Sequence, residues 1–120
     1  MKTDGVLQTK SKAFAIRIVR LFQFLTEKKK EFVLFKQVLR SGTSIGANIA
    51  ESKYAISRKD FILKLQIALK EASETAFWLE LLHETDYLAH RDFSGIYADC
   101  EEMLRLLTSS LLTLKKQSPA

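Results

Sequence analysis

Apolar residues recur every three to four positions along nearly the whole chain, a spacing that predicts four amphipathic helices joined by short polar links. In the first segment Leu7, Phe14, Ile18, Leu21, Phe22 and Leu25 share one side, with Lys10, Arg17, Arg20 and Glu27 opposite, so a helix is expected over residues 7–27. Lys28-Lys29-Lys30 reads as a charged link. A second helix, from Glu31 to Tyr54, places Phe35, Leu39, Gly42, Gly46 and Ala50 in a stripe that Ile45 and Ile49 widen. Ser57-Arg58-Lys59-Asp60 fits a capping box, in which the serine and the acid three places on satisfy free amides at a helix start. The third helix runs from there to His83, with Phe61, Leu65, Ala68, Ala72, Ala76 and Leu79 on one line and Trp78 and Leu82 beside it. Asp86 to His90 forms the next turn. The fourth helix, over 91–116, spaces Phe93, Ile96, Cys100, Met103, Leu107 and Leu114 as the seam of a bundle, with Tyr97, Leu104 and Leu111 as a second line.

Short links force neighbouring helices to run antiparallel, so the predicted fold is all-α: an up-down-up-down antiparallel four-helix bundle. The chain of 120 residues is expected to form one domain, with a core over 7–116 and short flexible ends. Its one proline, Pro119, leaves the interior free for long helices. Helices three and four carry more apolar surface than one seam needs, an excess that predicts a homo-oligomer.

Composition narrows the class further. Although 47% of residues are hydrophobic, runs such as Phe32-Val33-Leu34-Phe35 and Ala76-Phe77-Trp78-Leu79 are far shorter than a membrane span. Met1-Lys2-Thr3-Asp4-Gly5 leads into polar sequence without the apolar core of a signal peptide, and a single cysteine, Cys100, cannot form an intrachain disulfide. These features predict a cytoplasmic protein with no membrane partner.

The formal charge of +5 is unevenly distributed: residues 1–60 carry a net +8 and residues 61–120 a net −3. In the predicted topology the N-terminus, the link between helices two and three and the C-terminus share one end. That end collects Lys2, Lys10, Lys12, Lys53, Arg58, Lys59, Lys115 and Lys116, opposed mainly by Asp4, Glu51 and Asp60. Lys10, Lys12, Lys53, Arg58, Lys59, Lys115 and Lys116 are therefore the candidate nucleic-acid-binding residues. Repeated around a cyclic oligomer, they would form a basic ring contacting phosphates of RNA or DNA with little base specificity. The plainer alternative is a solvated basic surface.

No motif names a reaction. Gly42-Thr43-Ser44-Ile45-Gly46 matches the G-x-S-x-G nucleophile elbow, but that elbow needs a strand-to-helix turn in a parallel sheet. Two glycines within a helix cost about 1 kcal/mol each relative to alanine. Close approach of another helix at Gly42, Gly46 and Ala50 is the better account of them. On the other side of helix two, Gln37, Arg40, Ser44, Asn48 and Glu51 form a polar face; folding helix three back brings Arg40 level with Glu71 and Glu74, and Glu51 level with Lys64. Glu80-Leu81-Leu82-His83 has the spacing of a carboxylate-bridged metal bundle but lacks the second pair such a site needs. His90 fits the turn before helix four, and Cys100 fits the apolar seam as a small hydrophobe. No catalytic residue, metal or cofactor is expected.

The run Arg40-Ser41-Gly42-Thr43-Ser44-Ile45-Gly46-Ala47-Asn48-Ile49-Ala50-Glu51, with Asp60-Phe61 and the block from Ala68 to Leu79, resembles a bacterial family. These are the four-helix-bundle proteins encoded within intervening sequences of large-subunit (23S) ribosomal RNA genes, and the likeness covers residues 10–115. The resemblance implies a bundle that assembles into a ring, most often a pentamer, with no established enzymatic activity. It further implies kinship with accessory proteins of reverse transcriptases in diversity-generating retroelements, hence a protein partner such as a reverse transcriptase. Arg40, Ser44, Asn48, Glu51, Glu71 and Glu74 carry over as motif residues, serving fold, subunit interface or ligand.

Overall fold

The computed structural model describes residues 5–30 and 32–117. Lys2, Asp4, Glu31 and Pro119 lie outside the described residues, as do residues 1–4 and 118–120 of the two expected flexible ends, whereas Gly5, Val6 and Gln117 are helical. Within them the chain forms α1 (Gly5–Lys29), α2 (Val33–Ser52), α3 (Arg58–Glu84) and α4 (His90–Gln117). The molecule measures 51 × 21 × 20 Å, as expected for helices of about 30–42 Å lying side by side.

Boundaries moved where turn chemistry overrode periodicity. Lys28 and Lys29 belong to α1, which ends there, and Lys30 follows with φ 54° in the left-handed region. The second helix starts at Val33 and stops at Ser52, two residues short of the expected Tyr54. The capping box forms as expected: the Ser57 hydroxyl accepts from the Asp60 amide at 3.0 Å, and an Asp60 carboxylate oxygen accepts from the Ile56 amide at 3.2 Å. At the far turn Asp86 takes φ 69°, and the amides of Tyr87 and Leu88 both donate to the Leu82 carbonyl, while Leu88 is buried as a plug.

Consecutive helices pack against each other and α1 closes the square on α4, while among the described residues no diagonal pair of backbones approaches as closely. All four edges are antiparallel. Ser11 lies opposite Gly46 and Ile18 opposite Gly42; Ser41 pairs with Thr75; Tyr97 pairs with Glu80; and Lys10 pairs with Glu102. The fully buried core includes Ile18, Phe35, Ile45, Ile49, Leu65, Leu79 and Leu107, with Phe35 meeting Tyr87 edge-on at 5.5 Å.

The glycines serve the α1–α2 edge. A Cβ on Gly42 would stand 2.8 Å from the Ile18 side chain, and one on Gly46 would stand 3.3 Å from the Ser11 carbonyl oxygen. The contact at Gly46 is to backbone, so the expected close helix approach is present and involves α1.

Exposed apolar residues are distributed differently from the expectation. Helix α1 shows Val6, Ile16, Val19 and Phe24 to solvent, α2 shows Val33 at its start, α3 shows Leu63 and Phe77, and α4 shows Leu112. The excess therefore lies on α1 as well as on the α3–α4 side, because α1 carries apolar residues around more of its circumference than its single seam suggested.

Candidate nucleic-acid interface

The antiparallel square brings the α1 start, the α2–α3 turn and the α4 end together, so Lys10, Lys12, Lys53, Arg58, Lys59, Lys115 and Lys116 occupy one pole. They are not equivalent. Lys10 lies 3.5 Å from Glu102 of α4. The Arg58 guanidinium donates to the Leu114 carbonyl at 2.6 Å, closing one of the unsatisfied carbonyls in the last turn of α4, and its Nε is buried without a partner. Lys12, Lys53, Lys59, Lys115 and Lys116 form no ion pair among the described residues. The described acids of this pole are engaged elsewhere: Glu51 accepts from Lys64 at 3.0 Å, which raises the Lys64 pKa, and Asp60 serves the capping box. Among the described residues the pole therefore presents five cations without an ion pair, with Glu51 and Asp60 engaged elsewhere.

Between α1 and α2 on the same end runs a groove of about 640 Å³, floored by Ala15, Gly46, Ala47 and Ala50 and edged by Lys12 and Lys53. The small side chains that permit helix approach also leave this depression.

Two residues of this pole escaped the sequence reading. Tyr54 is 83% exposed and Ile56 is 93% exposed, in the turn between Lys53 and Arg58. The available signal was apolar residues falling off the helical period beside a capping box.

The polar face of α2 turns toward α3, as its spacing required. An Arg40 guanidinium nitrogen lies 2.5 Å from Glu74 and another lies 3.6 Å from Glu71, while the Trp78 indole donates to Glu74 at 2.9 Å. Ser44 donates to the Arg40 carbonyl at 2.6 Å and Asn48 to the Ser44 carbonyl at 2.8 Å, so both are occupied within their own helix. Gln37 is half-buried on the same face. This constellation ties α2 to α3 through charge. It offers Ser44 no histidine base, since His83 lies in the last turn of α3 and His90, expected in the turn, is the first residue of α4.

Glu80 and His83 do not converge. Glu80 accepts from the Tyr97 hydroxyl at 2.5 Å, and that bond pushes the Tyr97 pKa up to about 12. His83 stacks on Phe93 at 4.3 Å and its Nδ1 meets the Leu88 carbonyl at 3.0 Å, so Nδ1 carries the proton. Among the described residues no three His, Cys, Asp or Glu side chains come together as metal ligands. Cys100 is buried, its thiol faces the Ala72 carbonyl, and burial pushes its pKa up to about 12, far from a reactive thiolate. A further contact was missed: Arg17 reaches Asp99 at 2.7 Å by lying over Gly95, where a Cβ would clash with the guanidinium. No described helix is long and apolar enough to cross a membrane.

Comparison with known proteins agrees with this architecture. A structure described as a protein of unknown function from the S23 ribosomal protein family of Bacteroides thetaiotaomicron VPI-5482 is 54% identical to the chain, with a TM-score of 0.86. The match covers 88% of this chain and 97% of that one. A search of curated proteins yields no match. The family model for the 23S rRNA-intervening sequence protein matches residues 4–109, and the chain belongs to that family.

Proposed function

We propose that this chain is a non-enzymatic, cytoplasmic, ring-forming scaffold whose basic pole binds RNA or DNA. The observation that carries the reading is the gathering of Lys12, Lys53, Lys59, Lys115 and Lys116 at one end, unpaired among the described residues, beside acids already engaged. Such a surface gains affinity by releasing counterions from phosphates, without reading bases. Ring assembly is supported by asymmetry across the bundle. The α1–α2 half carries most of the positive charge and the α3–α4 half the negative, and apolar side chains are exposed on both α1 and α3. Unlike faces on opposite sides favour a head-to-tail contact, which closes into a ring when the rotation permits; the family resemblance suggests five subunits.

A second reading is favoured by the groove between α1 and α2. Its small-residue floor suits a helix, as in an oligomeric protein-interaction module such as a reverse-transcriptase accessory protein without nucleic-acid contacts of its own. Fluorescence anisotropy of labelled RNA and DNA, at low and physiological salt and alongside light-scattering mass, separates the two. The proposal expects a multimeric species whose log affinity falls by about 0.7–0.9 per log unit of salt for each phosphate neutralised. Absence of binding at low salt would leave the protein-interaction module as the better account.

A further inference from the structure

The α2–α3 turn displays apolar side chains on a hydrogen-bonded backbone within the basic pole, between Lys53 and Lys59 in the chain. The amides of Lys53, Tyr54 and Ala55 bond back to the carbonyls of Ala50, Glu51 and Ser52, and the segment from Ile56 to Asp60 is held by the Asp60 amide on the Ser57 hydroxyl and the Ile56 amide on the Asp60 carboxylate. Ala55 packs against the core, which turns its neighbours Tyr54 and Ile56 outward. At 83% and 93% exposure these two side chains are the most exposed large hydrophobics among the described residues, and they contribute almost nothing to burial. A tyrosine face flanked by unpaired lysines has the composition of a stacking platform for unpaired bases, because every base offers a π-face and every nucleotide a phosphate.

We propose that this turn holds single-stranded nucleic acid, with one unpaired base stacked on Tyr54 and Ile56 against its edge, and with Lys53 and Lys59 on the flanking phosphates. This rests on the reading of the pole as a nucleic-acid surface and names the class of partner: unpaired strands in preference to duplex, where bases are not free to stack on protein. An acidic protein partner would be met by the same lysines but has no requirement for an aromatic ring. A lipid surface is disfavoured because the turn offers two apolar side chains and no amphipathic helix.

The test is anisotropy of the full-length protein with a labelled single-stranded RNA of about 20 nucleotides and with its duplex, a length spanning several stacking contacts. Wild type is expected to prefer the single strand. Tyr54→Ala should weaken single-strand binding about tenfold and erase the preference while leaving the salt slope unchanged, whereas Tyr54→Phe should retain both. The Lys53→Gln/Lys59→Gln variant should flatten the slope by about 1.4, for two phosphates on a single strand. Tyr54 and both lysines are exposed, so circular dichroism should confirm that every variant keeps its fold. Salt-dependent binding by wild type with Tyr54→Ala equally tight would overturn the turn assignment and leave the basic pole standing. No binding by wild type at low salt would remove both. Capture of phosphatidylserine vesicles that depends on Tyr54, with RNA binding that does not, would also overturn the proposal and assign the turn to lipid.

Discussion

Gly42 and Gly46 meet different parts of α1, and the difference sets what each substitution does. The Ile18 carbons nearest Gly42 are Cγ1 and Cγ2, on a β-branched side chain that is stiff in a helix and cannot swing aside. Gly42→Ala is therefore expected to destabilise the bundle. Overpacking costs about 1–3 kcal/mol against about 1 kcal/mol regained in helix propensity, and the mid-range net loss of about 1 kcal/mol lowers Tm by about 3–6 °C. In an Ile18→Ala background the same change should become stabilising, and thermal melts of the four proteins of the cycle read the sign directly. Tyr97 supplies a second test. Its folded pKa lies near 12, above the ordinary 10.0, so the protonated hydroxyl stabilises the native state. That contribution is full below pH 10 and is lost as pH rises toward 12, because the unfolded chain releases the proton first. Tyr97→Phe should remove this alkaline dependence, together with a phenolate transition near pH 12 in an ultraviolet titration.

Helix ends depend on single left-handed residues. Lys30 adopts φ 54° at the α1–α2 link without the local side-chain hydrogen bonding that eases this conformation for asparagine or aspartate. Lys30→Gly is expected to raise stability by up to about 1 kcal/mol, visible as a higher urea midpoint with unchanged slope, since glycine takes that conformation without strain. Along α2 and α3, ion pairing supplements packing. Arg40 spans Glu71 and Glu74, and Glu51 meets Lys64, so the polar face of α2 is joined to α3 by charges placed one to three turns apart. This gives the motif residues a structural role before any ligand is invoked.

For the whole bundle, the consequential feature is two-sidedness. Exposed apolar side chains on α1 do not strengthen the monomer, so they are available for association. Ile16→Ser with Phe24→Ser, at sites 50% and 43% exposed, should change thermal stability of the isolated bundle little while reducing the light-scattering mass toward a protomer. A mass unchanged by this pair would place the subunit contact on other faces. In the proposed ring the pole is repeated, so on that reading loss of assembly should also weaken nucleic-acid binding through reduced avidity, even though these side chains lie outside the basic pole.

Helix number, the apolar seam and the capping box were legible from local spacing, because a helix imposes its 3.6-residue period on whatever sequence can meet it. Antiparallel register followed from the short links, which is why Arg40 opposite Glu74 and Glu51 opposite Lys64 could be anticipated. The small residues at Gly42 and Gly46 signalled a close approach without saying which helix makes it. That choice, and the fate of each cation, depended on how four helices rotate about their own axes when packed. Lys10 facing Glu102, Arg58 spent on the Leu114 carbonyl, and Arg17 crossing Gly95 to Asp99 all join residues more than 50 positions apart. Tyr54 and Ile56 lay at the margin of both: their apolar character was plain in the chain, but only the packing of Ala55 into the core turns them to solvent. Local periodicity carries information about one helix at a time, whereas the surface left for partners is what remains after all four have buried their seams.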